Sequence, residues 1–364
     1  MDKHALLSQL PPPVPPSWLK GGNLQTLYAK TLQPEPPPYR RELLPDRFGR
    51  DLAAYDFIDA ADADAPLVVL FHGLEGSSRS HYAAALMRAV QAKGWHGVVA
   101  HFRSCGGVNA QTLYHSGDTP EVAHILGLLA QRYRKIYAVG VSLGGNVLAK
   151  YLGEQGRLKT EGFSEAEKAG NNVQPDTQRA SESPFSDGLT AAERYSTAHT
   201  CGVLPAAAAV VSAPIDLPAA GEALEHGLPR LLYTQYFLST LMKKVPYPPP
   251  HKIRSLGDFD NAYTAPVHGF ADKHDYYRQA MCKPYLHDIS VPTLLLNAKN
   301  DPFLPGRFLP SENEVSRQVY LLQPEHGGHV GFVSGFGRGH LNWLPDTLLR
   351  FFEWFDKKNG AANE

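Results

Sequence analysis

The sequence predicts an α/β fold: a mostly parallel central sheet with helices on both faces and a helical cap inserted late in the chain. Three observations predict it. Short apolar runs recur along the 364 residues, each bounded by glycine, proline or a polar turn. Stretches with helical spacing of apolar residues lie between them. The runs are apolar throughout rather than alternating, as strands are when a parallel sheet is covered on both faces.

Taken in order, residues 1–39 read as a proline-rich arm packed on the core, with "PPPVPP" at Pro11–Pro16 and "PEPPP" at Pro34–Pro38. Such runs favour polyproline II and suit docking segments as well as arms; the arm is the reading adopted. A core is expected over 40–155 and 203–356. It opens with a hairpin, "RRELLPDRFGRDLAAYDFID", followed by the strand "PLVVLFHG". The next segment places Tyr82, Leu86 and Val90 on one helical face, with Gly94 where a C-terminal cap belongs. After the strand "HGVVAHFR", a helix is predicted with Thr119 as N-cap, Pro120 at its first position, and Val122, Ile125, Leu126, Leu129 and Tyr133 at period 3.6. The strand "KIYAVGVS" then runs into the helix "GGNVLAKYL". At Gly156 the rhythm breaks. Residues 156–202 are polar and rich in Ser, Glu, Asn and Gly, which predicts a mobile surface insert. "LPAAAAVVSAP" restores the sheet, and 216–285 is expected to be helical and to cover a substrate pocket. It includes "PRLLYTQYFLSTLMKKV", with its broad apolar face, and the proline run "PYPPP". The strands "VPTLLLNAKND" and "QVYLLQPE" and the helix "WLPDTLLRFFEWFDKK" close the fold.

Composition excludes some functions. A formal net charge of -1 gathers no phosphate, so nucleic acid is not an expected partner. Three cysteines, Cys105, Cys201 and Cys282, are odd in number and sparse, which suits a reducing compartment rather than a disulfide framework. The first residues lack the apolar stretch of a signal peptide, and no run reaches the roughly 18 apolar residues that span a bilayer. A soluble cytoplasmic protein is expected. Composition leaves the oligomeric state open.

The chemistry centres on "GVSLGG", Gly140 to Gly145, which has the form G-x-S-x-G between a predicted strand and a predicted helix. That context puts Ser142 on a tight turn above the strand ends. Gly140 and Gly144 leave room for strand and helix to approach, and the new helix turns free N–H groups toward the site. A serine nucleophile needs a base oriented by a third group, and in the α/β-hydrolase arrangement the order is Ser, then Asp or Glu, then His. Asp301 in "LLLNAKNDPFLP" leaves the end of a strand beyond the cap. Its neighbour Asn300 is uncharged, so Asp301 is the carboxylate at that strand end. The base is then sought in "EHGGHVGF", which offers His326 and His329. The oxyanion hole is assigned to the backbone N–H groups of Leu143 and of Leu74 in "FHGLEGS", with His72 holding that loop.

Competing chemistry is weaker. Cys105 in "HFRSCGG" lies off the elbow and has no evident base. His326 and His329 have an H-x-x-H spacing, but metal pairs of that spacing sit on rigid helices, and a glycine pair separates these two. No HExxH, Walker A or G-x-G-x-x-G motif occurs in the required context, so neither metal nor cofactor is expected.

At this point the sequence resembles the YheT-like α/β hydrolases, bacterial relatives of the ABHD-type lipid hydrolases. The likeness runs through "GGNLQTLYAK", "VVLFHGLEGSSRSHYA", "WHGVVAHFRSCGGVNAQTLYHSGDT", "VGVSLGGNVLAKYL", "VVSAPIDL", "IRSLGDFDNAYTAPVHGFADKHDYYRQA", "NAKNDPFLP" and "EHGGHVGFVSG", in that order. It implies Ser142 as nucleophile, Asp301 as acid and His329 as base; His326 is then expected to steady the loop. Two departures stand out: Asn300 where relatives often carry a second aspartate, and an insert near 156–199 longer than usual. "YHSGDT" and "DFDNAYTAP" match family hallmarks to which the residues alone assign no chemistry.

The expectation is a serine hydrolase for carboxylic esters of short or medium acyl chains, or of lipid-like form, whose partner is the small-molecule ester. An acyltransferase, a thioesterase or a perhydrolase would use the same residues. A hydrolase-fold protein that only binds is the alternative of a different class.

Overall fold

A computed structural model of the protein describes residues 3–168, 202–245 and 247–361. Eight strands form one sheet: β1 (Arg40–Pro45), β2 (Leu52–Ile58), β3 (Leu67–Phe71), β4 (His96–Ala100), β5 (Ile136–Val141), β6 (Ala207–Val211), β7 (Thr293–Leu296) and β8 (Val319–Leu322). Their order is β1-β2-β4-β3-β5-β6-β7-β8. The hairpin β1–β2 pairs antiparallel with β4, and every later pairing is parallel.

Period-two alternation splits the inner strands between two cores. Leu67, Val69 and Phe71 face one of them, with Val122, Ile125, Leu126 and Leu129 of α4 (Thr119–Ala130) and Val147, Leu148 and Leu152 of α5 (Leu143–Lys168). Val68 and Leu70 face the other. There they meet Leu86, Met87 and Val90 of α3 (His81–Ala92) and Phe351, Phe352 and Phe355 of α9 (Trp343–Ala361). Both faces are dry, so the strands read as unbroken apolar runs.

Two local expectations are corrected. Asp118, not Thr119, is the N-cap of α4, and its side chain does not cap. Its carboxylate and that of Glu121 instead hold the guanidinium of buried Arg103. α5 does not stop near Gly156 but continues as helix to Lys168. The remainder of the predicted insert, from 169 to 201, lies outside the described residues.

The arm carries two helices, α1 (Lys3–Leu7) and α2 (Gly22–Thr31). Between β6 and β7 the chain is helical: α6 (Leu217–Glu225), a run from 227 that ends in α7 (Gln235–Leu241), a second run over 256–267, and α8 (Lys273–Ala280). Each of the two runs contains a π-turn, Arg230–Thr234 and Asp260–Thr264. Leu238, Leu241, Phe259 and Tyr263 from the two runs pack on one another and on Leu113 as a separate apolar cluster. These helices cover the C-terminal ends of the parallel strands, where open α/β sheets bind ligands.

Candidate active site

Ser142 follows β5 at the first turn of α5, with φ 55°. A left-handed serine costs on the order of 1–2 kcal/mol. Backbone bonds hold it there: its N–H donates to the Val211 carbonyl at 2.8 Å, and its carbonyl accepts from the Asn146 N–H at 3.0 Å. Gly144 must lack a side chain, because a Cβ there would run into the Phe71 and His72 carbonyls.

Beyond β7, Asp301 is buried and accepts the N–H of Phe303 at 2.7 Å. Beyond β8, His329 places Nε2 2.9 Å from Ser142 Oγ and Nδ1 2.9 Å from Asp301 Oδ2. The Phe303 ring stacks on the imidazole at 3.9 Å between centroids. The structure thus joins three of the sequence-selected side chains in one hydrogen-bonded line. His326 is exposed and stands apart.

The loop that carries His329 is fastened by residues that sequence reasoning missed. Thr26 Oγ1 on α2 accepts the His329 N–H at 2.8 Å, and Gln25 Oε1 accepts the Gly327 N–H at 2.8 Å. Asn300 takes the Gly328 N–H on Oδ1 and donates through Nδ2 to Gln25 Oε1. An amide does both; a carboxylate could only accept. Ser212 Oγ accepts the Val330 N–H at 3.1 Å, while the Val330 carbonyl accepts from His81 Nε2 at 3.0 Å. Gly328 has φ 58°, and a Cβ there would lie 2.6 Å from the Gly22 carbonyl and 2.7 Å from Thr26 Oγ1. The glycine pair therefore brings the loop down onto α2. The available signal was the "LQT" of the arm, which contains Gln25 and Thr26.

The N–H of Leu143 opens α5, where no helical carbonyl is available to it. The N–H of Leu74 has no acceptor among the described residues. Both residues line a cavity with Ser142. The preceding loop is stiff. His72 Nε2 accepts the Phe102 N–H, so the proton sits on Nδ1 and donates to the Gly73 carbonyl at 2.7 Å. Burial pushes this imidazole down to about 3, so it stays neutral. Glu75, at φ 55°, donates its N–H to Tyr114 Oη at 2.7 Å and pairs with Lys244 Nζ at 2.7 Å. Cys105 lies in that cluster, 3.6 Å from Lys244 Nζ and away from Ser142, and burial pushes its thiol up to about 11.

Two cavities meet at Ser142. The inner one, about 140 Å³, lies beneath the cap with a largely apolar wall that includes the aliphatic Leu217, Leu224 and Leu241 and the aromatic Phe259 and Tyr263. The outer groove, bordered by Thr26, Lys30, Arg79, Tyr233 and His329, opens beside α2. Leu74, Glu75, Phe237 and Phe303 border both. Among the described residues no group of three or more His, Cys, Asp or Glu could hold a metal ion, and no helix is long and apolar enough to cross a membrane.

Comparison with known proteins places this geometry in context. A family profile described as alpha/beta hydrolase fold matches residues 66–159. YheT of Escherichia coli (strain K12), a candidate esterase, is 35% identical over 338 residues, covering 87% of this chain and 86% of that protein. A monoacylglycerol lipase of Saccharomyces cerevisiae is 27% identical over 81% of this chain and 60% of its own length. Among solved structures, the esterase Pf2001 of Pyrococcus furiosus superposes with a TM-score of 0.50 at 14% identity, covering 88% of this chain and 90% of that one. At that identity the likeness concerns the fold alone.

Proposed function

The chain belongs to the YheT-like α/β hydrolases, and from that premise we propose that it cleaves carboxylic esters through an acyl-enzyme formed on Ser142. The observation that carries this reading is the line Ser142 Oγ–His329–Asp301, with contacts of 2.9 Å at both imidazole nitrogens. His329 Nε2 takes the hydroxyl proton as Oγ attacks the acyl carbon. Asp301 accepts from Nδ1–H, fixes the tautomer and offsets the charge of the imidazolium. The Leu74 and Leu143 N–H groups receive the oxyanion of the tetrahedral intermediate. His329 then returns the proton to the leaving alcohol, and water repeats the sequence to free the acid.

The inner cavity suits the acyl chain, because its wall is largely apolar, built of aliphatic and aromatic side chains, and lies beneath the cap. The outer groove suits the alcohol and the entry of water. Relatives named as a candidate esterase and a monoacylglycerol lipase support an ester, and a lipid-like one in particular. A protein that only binds gains nothing from a serine held at φ 55°.

A fluorophosphonate probe tests the reading. It is expected to label the wild type and not Ser142→Ala; an unlabelled wild type would refute it. A p-nitrophenyl ester series, run with and without an added alcohol, then separates hydrolysis from acyl transfer, and the matching thioesters address the thioesterase alternative.

A further inference from the structure

An acyl pocket made only for alkyl chains needs no polar groups in its wall, yet the inner cavity has them. Its wall includes His115, from the "YHSGDT" segment before α4, and Asp260 and Thr264, from the "DFDNAYTAP" segment in the second cap run. The two segments are joined through aromatic neighbours. The His115 ring lies 4.4 Å from that of His268 and 5.9 Å from that of Tyr276. Tyr276 touches Tyr277, whose hydroxyl donates to Asp260 Oδ2 at 2.8 Å.

Both groups have hydrogen-bonding capacity left for a ligand. Gly117 donates its N–H to His115 Nδ1 at 3.2 Å, so the imidazole proton is on Nε2. Among the described residues that Nε2–H has no acceptor. Burial holds His115 well below its ordinary value, so it remains a neutral donor. Asp260 accepts Thr264 Oγ1 on Oδ1 at 2.7 Å and Tyr277 Oη on Oδ2. Each carboxylate oxygen keeps a second lone pair. A half-buried donor and a half-buried acceptor thus border one largely apolar chamber, where a ligand that seals it would have to match both.

Building on the acyl-enzyme reading, we propose that the inner cavity selects an acyl chain bearing a hydroxyl group, which accepts from His115 Nε2–H and donates to Asp260. A hydroxyl is neutral and does both at once. An ammonium would face a donor it cannot satisfy, and a carboxylate would be repelled by Asp260. A plain methyl terminus would leave both groups unmatched. His115 and Asp260 are specificity-determining residues in this scheme and take no part in proton transfer at Ser142.

The test uses esters of one medium chain length in matched sets: unsubstituted, with a hydroxyl at successive positions along the acyl chain, and with a hydroxyl on the alcohol portion. The expected result is one acyl position whose kcat/KM exceeds that of the unsubstituted ester by at least about tenfold. That ratio should fall to about one in His115→Phe and in Asp260→Leu. In the Ser142→Ala protein, the preferred hydroxy acid should bind more tightly than the plain acid and shift the His115 imidazole nitrogen resonances. This measurement decides the matter if either cavity variant fails to fold. Equal turnover across the acyl series, a preference confined to the alcohol portion, or a ratio that survives both substitutions would overturn the proposal. The ester-hydrolase reading would stand in all three cases, provided Ser142→Ala abolishes turnover; if it does not, that reading fails first.

Discussion

His329 is held at five points: its own N–H on Thr26, its two ring nitrogens on Asp301 and Ser142, its ring face on Phe303, and the next residue on Ser212. In the proposed role of base, an imidazole constrained in this way would transfer a proton without a search over rotamers. His329→Ala is therefore expected to lower kcat on the order of 10⁴-fold or more. His326→Ala, at an exposed position, should stay within about twofold of wild type. Steady-state kinetics on one p-nitrophenyl ester reads both, and the reverse ranking would dismiss the assignment. The convergence of Ser142, Asp301 and His329 was legible because they follow β5, β7 and β8 in the expected order, and chain order is a property of sequence. Thr26, Gln25 and Asn300 were not legible as supports. Gln25 and Thr26 act on backbone N–H groups 302 and 303 positions away, and Asn300 acts on one 28 positions away in another loop; no local pattern encodes such partners.

At the scale of elements, the parallel strands were legible from apolar runs bounded by turns, because both faces of the inner sheet are dry, whereas the exposed β1 was legible only as one arm of a hairpin. Capping chemistry was less so. Thr119-Pro120 has the composition of a helix start, yet the boundary falls one residue earlier, at an Asp118 whose carboxylate is committed to Arg103 and does not cap. The π-turns were also invisible, because one extra residue in a turn leaves the apolar face of a cap helix intact. Asp260 opens one of them, and there burial raises its carboxyl to about 6 from an ordinary 3.8. The proton binds the folded state more tightly than the unfolded chain. The resulting stabilisation is complete below about pH 3.8 and is lost as pH rises through about 6. Asp260→Asn removes that dependence. Its stability relative to wild type should be about 2 kcal/mol more favourable at pH 7.5 than at pH 4.5, measured by urea unfolding at the two pH values. An equal difference at both would show that the carboxyl titrates normally.

For the molecule as a whole, the two cores fix the sheet, and the cap divides the space above it into an inner chamber and an outer groove that share Ser142. Phe237 stands on that divide and contacts Phe303 at 6.1 Å between ring centroids. Phe237→Ala should relax the choice of alcohol, raising kcat/KM for bulky-alcohol esters relative to the ethyl ester by about 10-fold. A ratio that does not move would mean the alcohol leaves by another route. The same architecture sets a schedule for synthesis. β5 and its strained turn leave the ribosome more than a hundred residues before the loop that carries His329, and that loop must then seat on α2, which was made earlier still. A nascent chain stalled before β8 therefore displays Ser142 without the imidazole that hydrogen-bonds to it in the finished fold. On the proposed mechanism, ester cleavage would begin only when late and early segments of the polypeptide close on each other.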